Sequence, residues 1–536
     1  MTEEFDYVVI GAGSAGCVMA NRLSANPSNR VVLLEAGGRD INPWIHVPVG
    51  YFKTIHNPNT DWCYTTEPDP GLNGRTLKWP RGKVLGGSSS INGLLYVRGQ
   101  REDYDDWAET GLKDWSYDKV LPYFKKAEDF EHGASDYHGD GGPLKVSDMT
   151  FSRPICDDFI AAAGMPDTPS PHDANSETQE GAGYFQLTAH KGRRCSTAVA
   201  YLYPARKRDN LRIITHAQAS GINFDGKRAV SVDYRQGKGS SGTTKTVTAR
   251  REIILCGGAI NSPQLLQLSG VGPANLLKEL GIDVVHDSSE VGANLQDHLQ
   301  IRAVYKTLKP ITLNDELSRW DQKARAGIQY IMTRTGPLTM AASQAYAFCR
   351  TRLSNQRPDI QYHFQPLSAD SPGEGLHPFS AFTTSVCQLR PTSKGSINIR
   401  STDPFSAPKI VPNYLSTDID CQTAIESLKH TRQLMQAPQM KQHIKEEILP
   451  DPAAQSDDEL LHQAREIANT IYHPTSTCRM GIDDNAVTDE QLRVKGVTNL
   501  RVVDASVMPH IVSGNTNAPT IMIAEHAADI IARESI

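Results

Sequence analysis

The sequence predicts a mixed α/β protein built from more than one domain. Its 536 residues exceed what a single hydrophobic core usually organises. Near the N-terminus, two short apolar runs at residues 7–10 and 30–34 flank a glycine-rich loop and a helix-like segment, which is the pattern of a parallel strand–helix–strand unit. Farther along, strand-like segments alternate with helical ones such as residues 457–468, so the rest of the chain is also predicted to be mixed.

The composition is that of a globular protein and excludes several function classes. Hydrophobic residues make up 39% and charged residues 22% of the chain, and the formal net charge is −6. No block of basic residues occurs, so we expect no nucleic-acid partner. No apolar stretch approaches the ~20 residues that a transmembrane helix needs, and the acidic N-terminus lacks the pattern of a signal peptide. We expect a cytoplasmic protein; attachment to the surface of the inner membrane and a homo-oligomeric state stay open.

The nine cysteines predict neither a metal centre nor a disulfide framework. They are scattered along the chain, and none belongs to a Cys-x-x-Cys pair. The single Asn-x-Ser sequon, at residues 26–28, contains Pro27, which blocks glycosylation. Both observations suit a reducing compartment, where these cysteines serve as small buried apolar groups.

The glycine-rich loop predicts a dinucleotide cofactor. Gly11, Gly13 and Gly16 directly follow the first strand, and Glu35 ends the second. In this arrangement the three glycines permit, in turn, a tight bend, a close backbone approach to a pyrophosphate, and close packing of helix on strand. The helix N-terminus attracts the phosphates, and the carboxylate accepts from the adenosine ribose. The loop alone does not distinguish NAD from FAD. The expected contacts are Gly11, Gly13, Ser14, Ala15, Gly16, Glu35 and Ala36.

Two further regions complete the predicted organisation. Strand-like segments at residues 211–214, 229–234 and 246–256 predict a β-meander inserted in the cofactor-binding domain. Residues 45–80 are rich in Pro, Asn, Gly and aromatic residues with little periodicity. An irregular stretch of this length in a compact protein is more often functional or covering than idle.

The C-terminal part of the chain supplies the candidate catalytic residues. Tyr472-His473-Pro474 is followed, 42 positions after the histidine, by Asn515. A histidine suits proton abstraction because its pKa lies near neutral pH. Pro519 and the apolar spacing over residues 521–531 predict a buried helix directly after the asparagine.

Together with residues 81–92 (RGKVLGGSSSIN) and 257–263 (GGAINSP), these motifs resemble those of the glucose–methanol–choline (GMC) flavin oxidoreductases, in particular the choline-dehydrogenase-like bacterial branch. The resemblance covers nearly the whole chain. It implies a Rossmann-like FAD-binding domain interleaved with a substrate-binding domain of antiparallel sheet and flanking helices. The expected boundaries are 1–155, 192–300 and 465–536 for the FAD-binding domain, and 156–191 and 301–464 for the substrate-binding domain.

The resemblance implies that the cofactor is FAD, bound without a covalent link. Ile91 stands where some relatives carry the histidine that attaches the flavin. The segment around Gly87 and Asn92 is expected to run along the flavin, and Asp504 to contact the FAD chain near the pyrophosphate. Beyond the N-terminal loop, the implied contacts are Gly86, Gly87, Ser88, Asn92, Gly93, Leu94, Ala219, Asp504, Ala505, Thr516 and Asn517.

The implied function is FAD-dependent oxidation of a CH–OH group, with a primary alcohol going to an aldehyde as the expected reaction. His473 would take the alcohol proton, and Asn515 would orient the oxygen while hydride moves from carbon to flavin N5. The expected partners are a small alcohol and an electron acceptor, which is a quinone, another carrier or oxygen. The alternatives are a hydroxynitrile lyase of the same fold, an alcohol oxidase and an NAD-dependent dehydrogenase.

Two substitutions within the family pattern bear on the site. Ser476 stands where Gly is usual, which puts the backbone after the catalytic histidine in question. Gln344 stands where choline-oxidising relatives are expected to carry Glu. This disfavours choline, because its trimethylammonium group needs aromatic faces and a carboxylate. The histidines expected to be structural are His298, His510 and His526.

Overall fold

Two seven-stranded sheets organise the protein. The computed structural model describes residues 3–164, 172–237, 242–317, 319–354, 356–370 and 375–534. The expected domain ranges also include positions outside the described residues, namely 1–2, 165–171, 238–241, 318, 355, 371–374 and 535–536.

Strands and helices alternate along the whole described chain. The strands are β1 (Glu3–Ile10), β2 (Val31–Leu34), β3 (Tyr64–Thr65), β4 (Lys78–Trp79), β5 (Leu95–Tyr96), β6 (Glu128–Phe130), β7 (Leu144–Val146), β8 (Gly181–Tyr184), β9 (Gln186–Leu187), β10 (Ala189–His190), β11 (Arg193–Arg194), β12 (Leu211–Ile214), β13 (Ala217–Asp225), β14 (Arg228–Gln236), β15 (Thr243–Leu255), β16 (Val271–Gly272), β17 (His286–Asp287), β18 (Leu299–Thr307), β19 (Ala345–Cys349), β20 (Ile360–Gln365), β21 (Ala381–Gln388), β22 (Ser396–Asn398), β23 (Lys409–Val411), β24 (Ile444–Leu449), β25 (Ala468–Thr470) and β26 (Leu500–Val502). The α-helices are α1 (Ser14–Leu23), α2 (Pro43–His46), α3 (Tyr51–Thr54), α4 (Arg101–Glu109), α5 (Tyr117–Ala127), α6 (Pro154–Ala163), α7 (Tyr203–Ala205), α8 (Gly258–Leu268), α9 (Ala274–Glu279), α10 (Leu313–Leu317), α11 (Trp320–Thr333), α12 (Asp418–Met435), α13 (Pro438–Lys441), α14 (Asp457–Ile467) and α15 (Asn517–Glu534).

The first sheet is the predicted Rossmann-like unit. Its order is β12-β2-β1-β15-β14-β13, and β26 also pairs with β15. The strands β12, β2, β1 and β26 and the C-terminal half of β15 run parallel. All of β2 and the last four residues of β1 (residues 7–10) are buried, which explains their continuous apolar sequences. The rest of β15 forms an antiparallel meander with β13 and β14, which extends this same sheet. The prediction was wrong about one strand, because residues 211–214 form β12, which pairs parallel with β2, and β13 takes that place in the meander.

Three helices begin at the edge of the first sheet where its parallel strands end. Ile10 pairs with Leu255, so the loops into α1 and α8 lie side by side. The C-terminal helix α15 packs along α1, and Ser14 Oγ donates to Asn517 Oδ1 at 2.7 Å, so these two helices start together. In open α/β sheets this edge is where ligands bind.

The second sheet is antiparallel throughout, with the order β24-β18-β21-β20-β19-β8 and β25 paired to β18. Helix α12 packs against β21, and α6 packs against β19 and β8. The expected antiparallel sheet with flanking helices is therefore present. Strand β18 begins at Leu299, just before the expected start of the substrate-binding range at residue 301. Strand β25 lies after the expected end of that range at residue 464. The exact domain boundaries stay a prediction. Within the described ranges, no helix is long and apolar enough to cross a bilayer.

Candidate active site

A cavity of about 340 Å³ is lined by residues from both sheets. It runs from the glycine-rich loop after β1 to the segment after β25. Eighteen of the twenty residues singled out in the sequence line it, and Gly16 and Gly86 do not. Those that line it are Gly11, Gly13, Ser14, Ala15, Glu35, Ala36, Gly87, Ser88, Asn92, Gly93, Leu94, Ala219, His473, Asp504, Ala505, Asn515, Thr516 and Asn517.

The glycines at one end of the cavity form a cradle in which side chains would fill the space. Gly11 has φ +96°, and a Cβ there would lie 2.5 Å from the carbonyl oxygen of Cys256. A Cβ on Gly87 would lie 2.5 Å from Cα of Gly13. On Gly13 itself, a Cβ would meet protein atoms only at 3.9 Å or beyond, so this position faces open space. Its absent side chain therefore leaves room for a ligand rather than for protein.

Gly16 and Gly86 support the cradle from behind. A Cβ on Gly16 would overlap the carbonyl oxygen of Gly11, so this glycine lets α1 pack on β1. The N–H of Gly86 donates to the carbonyl of Ala12 at 2.7 Å, which ties the flavin-side segment to the N-terminal loop. Both glycines thus act on backbone packing.

The cradle suits a dianionic pyrophosphate. The N-termini of α1, α8 and α15 all reach the cavity wall, and unpaired N–H groups at helix N-termini attract anions. Asp504 accepts hydrogen bonds from Gly258 N–H at 2.8 Å and from Ser262 Oγ at 2.6 Å, so it caps α8. The carboxylate thereby orders this end of the cavity.

Glu35 lies at the end of β2, where a ribose would be recognised. Its two oxygens accept from the N–H groups of Ala12 at 2.8 Å and Gly37 at 2.7 Å. Each oxygen keeps a second lone pair that can accept from a hydroxyl. Burial raises the pKa of this carboxyl to about 7, because the charged form loses its hydration. Hydroxyl donors of a bound ribose would stabilise that charged form. The residues present therefore fit the adenosine half of a dinucleotide.

His473 is held at the opposite end by contacts to its backbone. It follows β25, and its N–H donates to Asp297 Oδ1 at 2.7 Å. The other oxygen of Asp297 accepts from the hydroxyls of Tyr414 and Thr470. Arg81 donates to the carbonyl of Tyr472 at 2.6 Å. The imidazole is thus presented by a rigid segment and is itself buried.

A chain of hydrogen bonds determines which nitrogen of His473 carries the proton. His298 Nε2 lies 2.9 Å from the carbonyl of Leu389, which can only accept, so His298 Nε2 carries hydrogen. Burial lowers the pKa of His298 to about 4, so the ring is neutral and its Nδ1 accepts. Nδ1 of His473 lies 3.1 Å from that atom and must donate to it. Nε2 of His473 therefore carries no hydrogen and has a lone pair that can accept.

The lone pair on Nε2 of His473 faces Asn515. Asn515 Nδ2 lies 3.1 Å from His473 Nε2 and donates to it, which agrees with the assigned tautomer. Asn515 Oδ1 is buried and has no hydrogen-bond partner in the described part of the chain. Burial, with Arg81 and two neighbouring imidazoles, holds the pKa of His473 well below its ordinary value. At neutral pH the pair therefore offers one base and one amide donor to a ligand oxygen.

Ser476 occupies the backbone conformation that its position in the sequence put in question. Its φ is +73°, in the left-handed region that favours glycine. Its N–H still donates to the carbonyl of Ala505 at 3.3 Å, and its hydroxyl to Thr475. These two hydrogen bonds hold the turn after His473 although a residue other than glycine occupies the left-handed region there.

Comparison with known proteins agrees with this geometry. Models of the N- and C-terminal parts of GMC oxidoreductases match residues 5–300 and 391–524. The chain is 45% identical to an alcohol dehydrogenase (acceptor) of Pseudomonas putida, over 99% of this chain and 96% of that protein. It is 44% identical to the mitochondrial choline dehydrogenase of Homo sapiens, over 99% and 90%. A pyridoxine 4-oxidase from Mesorbium loti shares the fold with a TM-score of 0.88, at 31% identity and 99% coverage of both chains.

The chain belongs to the GMC oxidoreductase family. The predicted family, the fold class and the FAD-dependent oxidoreductase class are therefore confirmed. In this GMC oxidoreductase Ile91 is buried and lines the cavity, so no nucleophile stands at the position that attaches flavin in some relatives. This supports a non-covalent FAD.

Sequence reasoning missed part of the wall opposite the cofactor cradle of this GMC oxidoreductase. Gln300 and Arg302 on β18 and His363 on β20 line the cavity. Gln344, singled out for its bearing on choline, lies behind the wall, where its Oε1 accepts from Cys156 Sγ at 3.1 Å. Gln344 does not line the cavity, whereas its neighbour Ser343 does, and the inference drawn from Gln344 about choline stays a prediction. Both residues precede β19, and no sequence motif signals which of them faces the cavity.

Of the histidines expected to be structural, only His298 contacts the candidate catalytic pair. His510 is exposed. His526 lies on α15, where its ring is buried against the rings of Trp115 and Tyr123. Neither lines the cavity. The signal that could have marked His298 is its position directly after Asp297, which holds the backbone of His473.

Proposed function

We propose that the protein oxidises an alcohol at its CH–OH carbon, with His473 as the base and Asn515 as the orienting donor. The observation that carries this is the unprotonated Nε2 of His473, which lies 3.1 Å from the amide of Asn515 at the cavity wall. One oxygen can contact both atoms at once. Bound FAD supplies an acceptor for the hydride that leaves carbon.

The proton follows a defined path in this reaction. The alcohol O–H donates to Nε2 of His473 in place of the Asn515 amide, and that amide then donates to the alcohol oxygen. As hydride leaves carbon, the O–H proton transfers to Nε2 and the oxygen becomes a carbonyl oxygen. The Nδ1–H of His473 keeps its bond to His298 throughout. A base so placed contributes ~10²–10⁴-fold to the rate.

We propose a neutral alcohol rather than choline as the substrate. The carboxylates that line the described cavity wall are Glu35 and Asp504, both at the cofactor end. Around His473 the wall carries the cations Arg81 and Arg302 instead. A quaternary ammonium group would meet like charge there and find no counter-ion. The wall also holds aromatic and aliphatic groups that suit an alkyl chain.

We propose that the substrate is a primary alcohol oxidised to an aldehyde, and that a quinone or another carrier reoxidises the flavin. The similarity to the P. putida alcohol dehydrogenase (acceptor) supports the carrier. An oxidase stays the second candidate, because the structural relative from M. loti is a pyridoxine 4-oxidase. A homo-oligomeric state stays a prediction.

Anaerobic flavin bleaching tests the proposal. Neutral primary alcohols of increasing chain length should reduce the flavin, and choline should do so at least tenfold less efficiently. Faster bleaching by choline would contradict the substrate assignment. No bleaching by any alcohol would favour a lyase of the same fold. Admission of air to the reduced protein then separates oxidase from dehydrogenase.

A further inference from the structure

Helix α11 carries a second apolar face that its own fold leaves uncovered. On one side Ala326 and Tyr330 are buried, and the Tyr330 hydroxyl donates to the carbonyl of Gly192 at 2.9 Å. On the other side four large apolar side chains point to solvent. Their exposed fractions are 82% for Trp320, 63% for Ile328, 74% for Ile331 and 77% for Met332.

These four residues form one stripe rather than a scatter. They stand at positions i, i+8, i+11 and i+12 of the helix, which places them on neighbouring parts of one face. Among the described residues, eleven large hydrophobic side chains are exposed, and four of them fall on this single helix. Isolated exposed apolar residues are normal, whereas a contiguous apolar face marks an interaction surface.

The charges around the stripe are cationic, although the chain as a whole is acidic. Arg319, Lys323, Arg325 and Arg334 flank or lie on α11, and Asp321 is the acidic residue among them. Asp321 pairs with Arg319 at 2.9 Å. The formal net charge of the chain is −6. An apolar face bordered by Lys and Arg is complementary to a surface of anionic lipid headgroups.

The stripe lies a short way along the chain from the cavity wall. After α11 the chain turns at Gly336, makes one 3₁₀ turn at Pro337–Thr339, and reaches Ala342 and Ser343, which line the cavity. Helix α11 also packs against this 3₁₀ turn, so a contact made by α11 is made close to the segment that leads into the cavity wall.

We propose that α11 docks the protein on an anionic lipid bilayer, with the stripe of Trp320, Ile328, Ile331 and Met332 inserted among the headgroups. The proposal rests on the proposed function for its purpose, since apolar alcohols and acceptors of the quinone class dissolve in that bilayer. A second copy of the chain fits the stripe less well. A two-fold contact would bring the same cations together on both sides.

Vesicle sedimentation of the FAD-loaded protein tests this inference. Vesicles of phosphatidylcholine containing phosphatidylglycerol should bind the protein, and pure phosphatidylcholine should bind it less. The double variant Ile328→Ser with Ile331→Ser should lower the affinity at least ~10-fold, because apolar contacts are lost. Lys323→Ser with Arg325→Ser should lower it roughly 30-fold, in a salt-dependent way. Ile482→Ser, at a side chain 61% exposed on another surface, is the matched control and should bind like wild type.

Several results would overturn the docking proposal. These are failure of the wild type to sediment with anionic vesicles, or undiminished sedimentation of the Ile328→Ser, Ile331→Ser variant. Concentration-dependent dimers that this variant abolishes would instead assign the stripe to a second copy. Flavin bleaching by a water-soluble alcohol, measured on the same preparations, tests the proposed function separately because it needs no membrane.

Discussion

Replacing His298 should slow flavin reduction although this residue touches neither substrate nor cofactor in the proposed reaction. Its Nδ1 accepts from Nδ1–H of His473 at 3.1 Å, and this bond keeps the Nε2 lone pair of His473 free. His298→Leu removes the acceptor and leaves a buried N–H unsatisfied. The alternative tautomer, with hydrogen on Nε2, then becomes competitive, and in that form His473 cannot take the alcohol proton.

The size of the effect follows from the buried bond. An unsatisfied buried donor costs about 1–3 kcal/mol, and each 1.4 kcal/mol is about a factor of ten in a population. The productive tautomer, and with it the rate constant for flavin reduction, should fall by roughly 5- to 150-fold. His298→Asn places an oxygen acceptor near the same position and should restore most of the rate.

Anaerobic stopped-flow reduction at saturating alcohol measures both variants. The flavin spectrum before mixing shows whether FAD is retained, and thermal unfolding separates a damaged fold from a wrong tautomer. If His298→Leu reduces its flavin as fast as wild type, the tautomer argument is refuted. Equal loss in the Leu and Asn variants would assign His298 to packing alone.

The remaining predictions concern the cofactor cradle and the pH dependence. Gly13→Ala should lose FAD while the apoprotein keeps its unfolding free energy within about 0.5 kcal/mol, since the added Cβ meets no protein atom closely. Gly16→Ala should instead lower the unfolding free energy of the apoprotein. A destabilised Gly13→Ala apoprotein beside an unchanged Gly16→Ala apoprotein would contradict both assignments. Glu35→Ala should release FAD more readily on dilution, and unchanged retention would refute the ribose assignment. Acid precipitation should leave FAD in solution, because Ile91 offers no attachment; flavin in the pellet would contradict this. The rate of flavin reduction should stay level from about pH 8 through about pH 6.5, because the lowered pKa keeps His473 neutral there; an acid limb centred near the ordinary value would contradict it.

The parts of the fold that local sequence encodes were predictable. The loop from Gly11 to Gly16 needs its glycines for reasons internal to one strand–turn–helix unit, and the structure shows the expected close contacts. The C-terminal helix was predictable because Pro519 and the apolar spacing after it lie in one segment. Such features depend on neighbours in sequence, so a single chain displays them.

The site itself depended on the family resemblance. His473 and Asn515 are 42 positions apart, yet their side chains lie 3.1 Å apart. No periodicity relates them, and the motifs around them carried the inference. The domain boundaries and the cofactor contacts of individual residues stay predictions of the same kind.

What sequence reasoning missed arises from strand pairing. The pairing of β18 with β25 joins Leu299 to Thr470, and this register brings His298 beside the segment that ends in His473. A shift of one residue in this pairing would turn His298 away from His473. The register is set by packing of the second sheet, which no local pattern reports.

Stopped-flow reduction of His473→Ala shows whether this histidine is the base that takes the alcohol proton. With FAD retained and alcohol saturating under anaerobic conditions, wild type should bleach, and the variant should reduce its flavin at least ~10²-fold more slowly. His510→Ala, at an exposed histidine outside the cavity, is the matched control and should behave like wild type. Asn515→Ala should also slow reduction, through misplacement of the alcohol. Reduction of the His473→Ala flavin within tenfold of wild type would contradict the account.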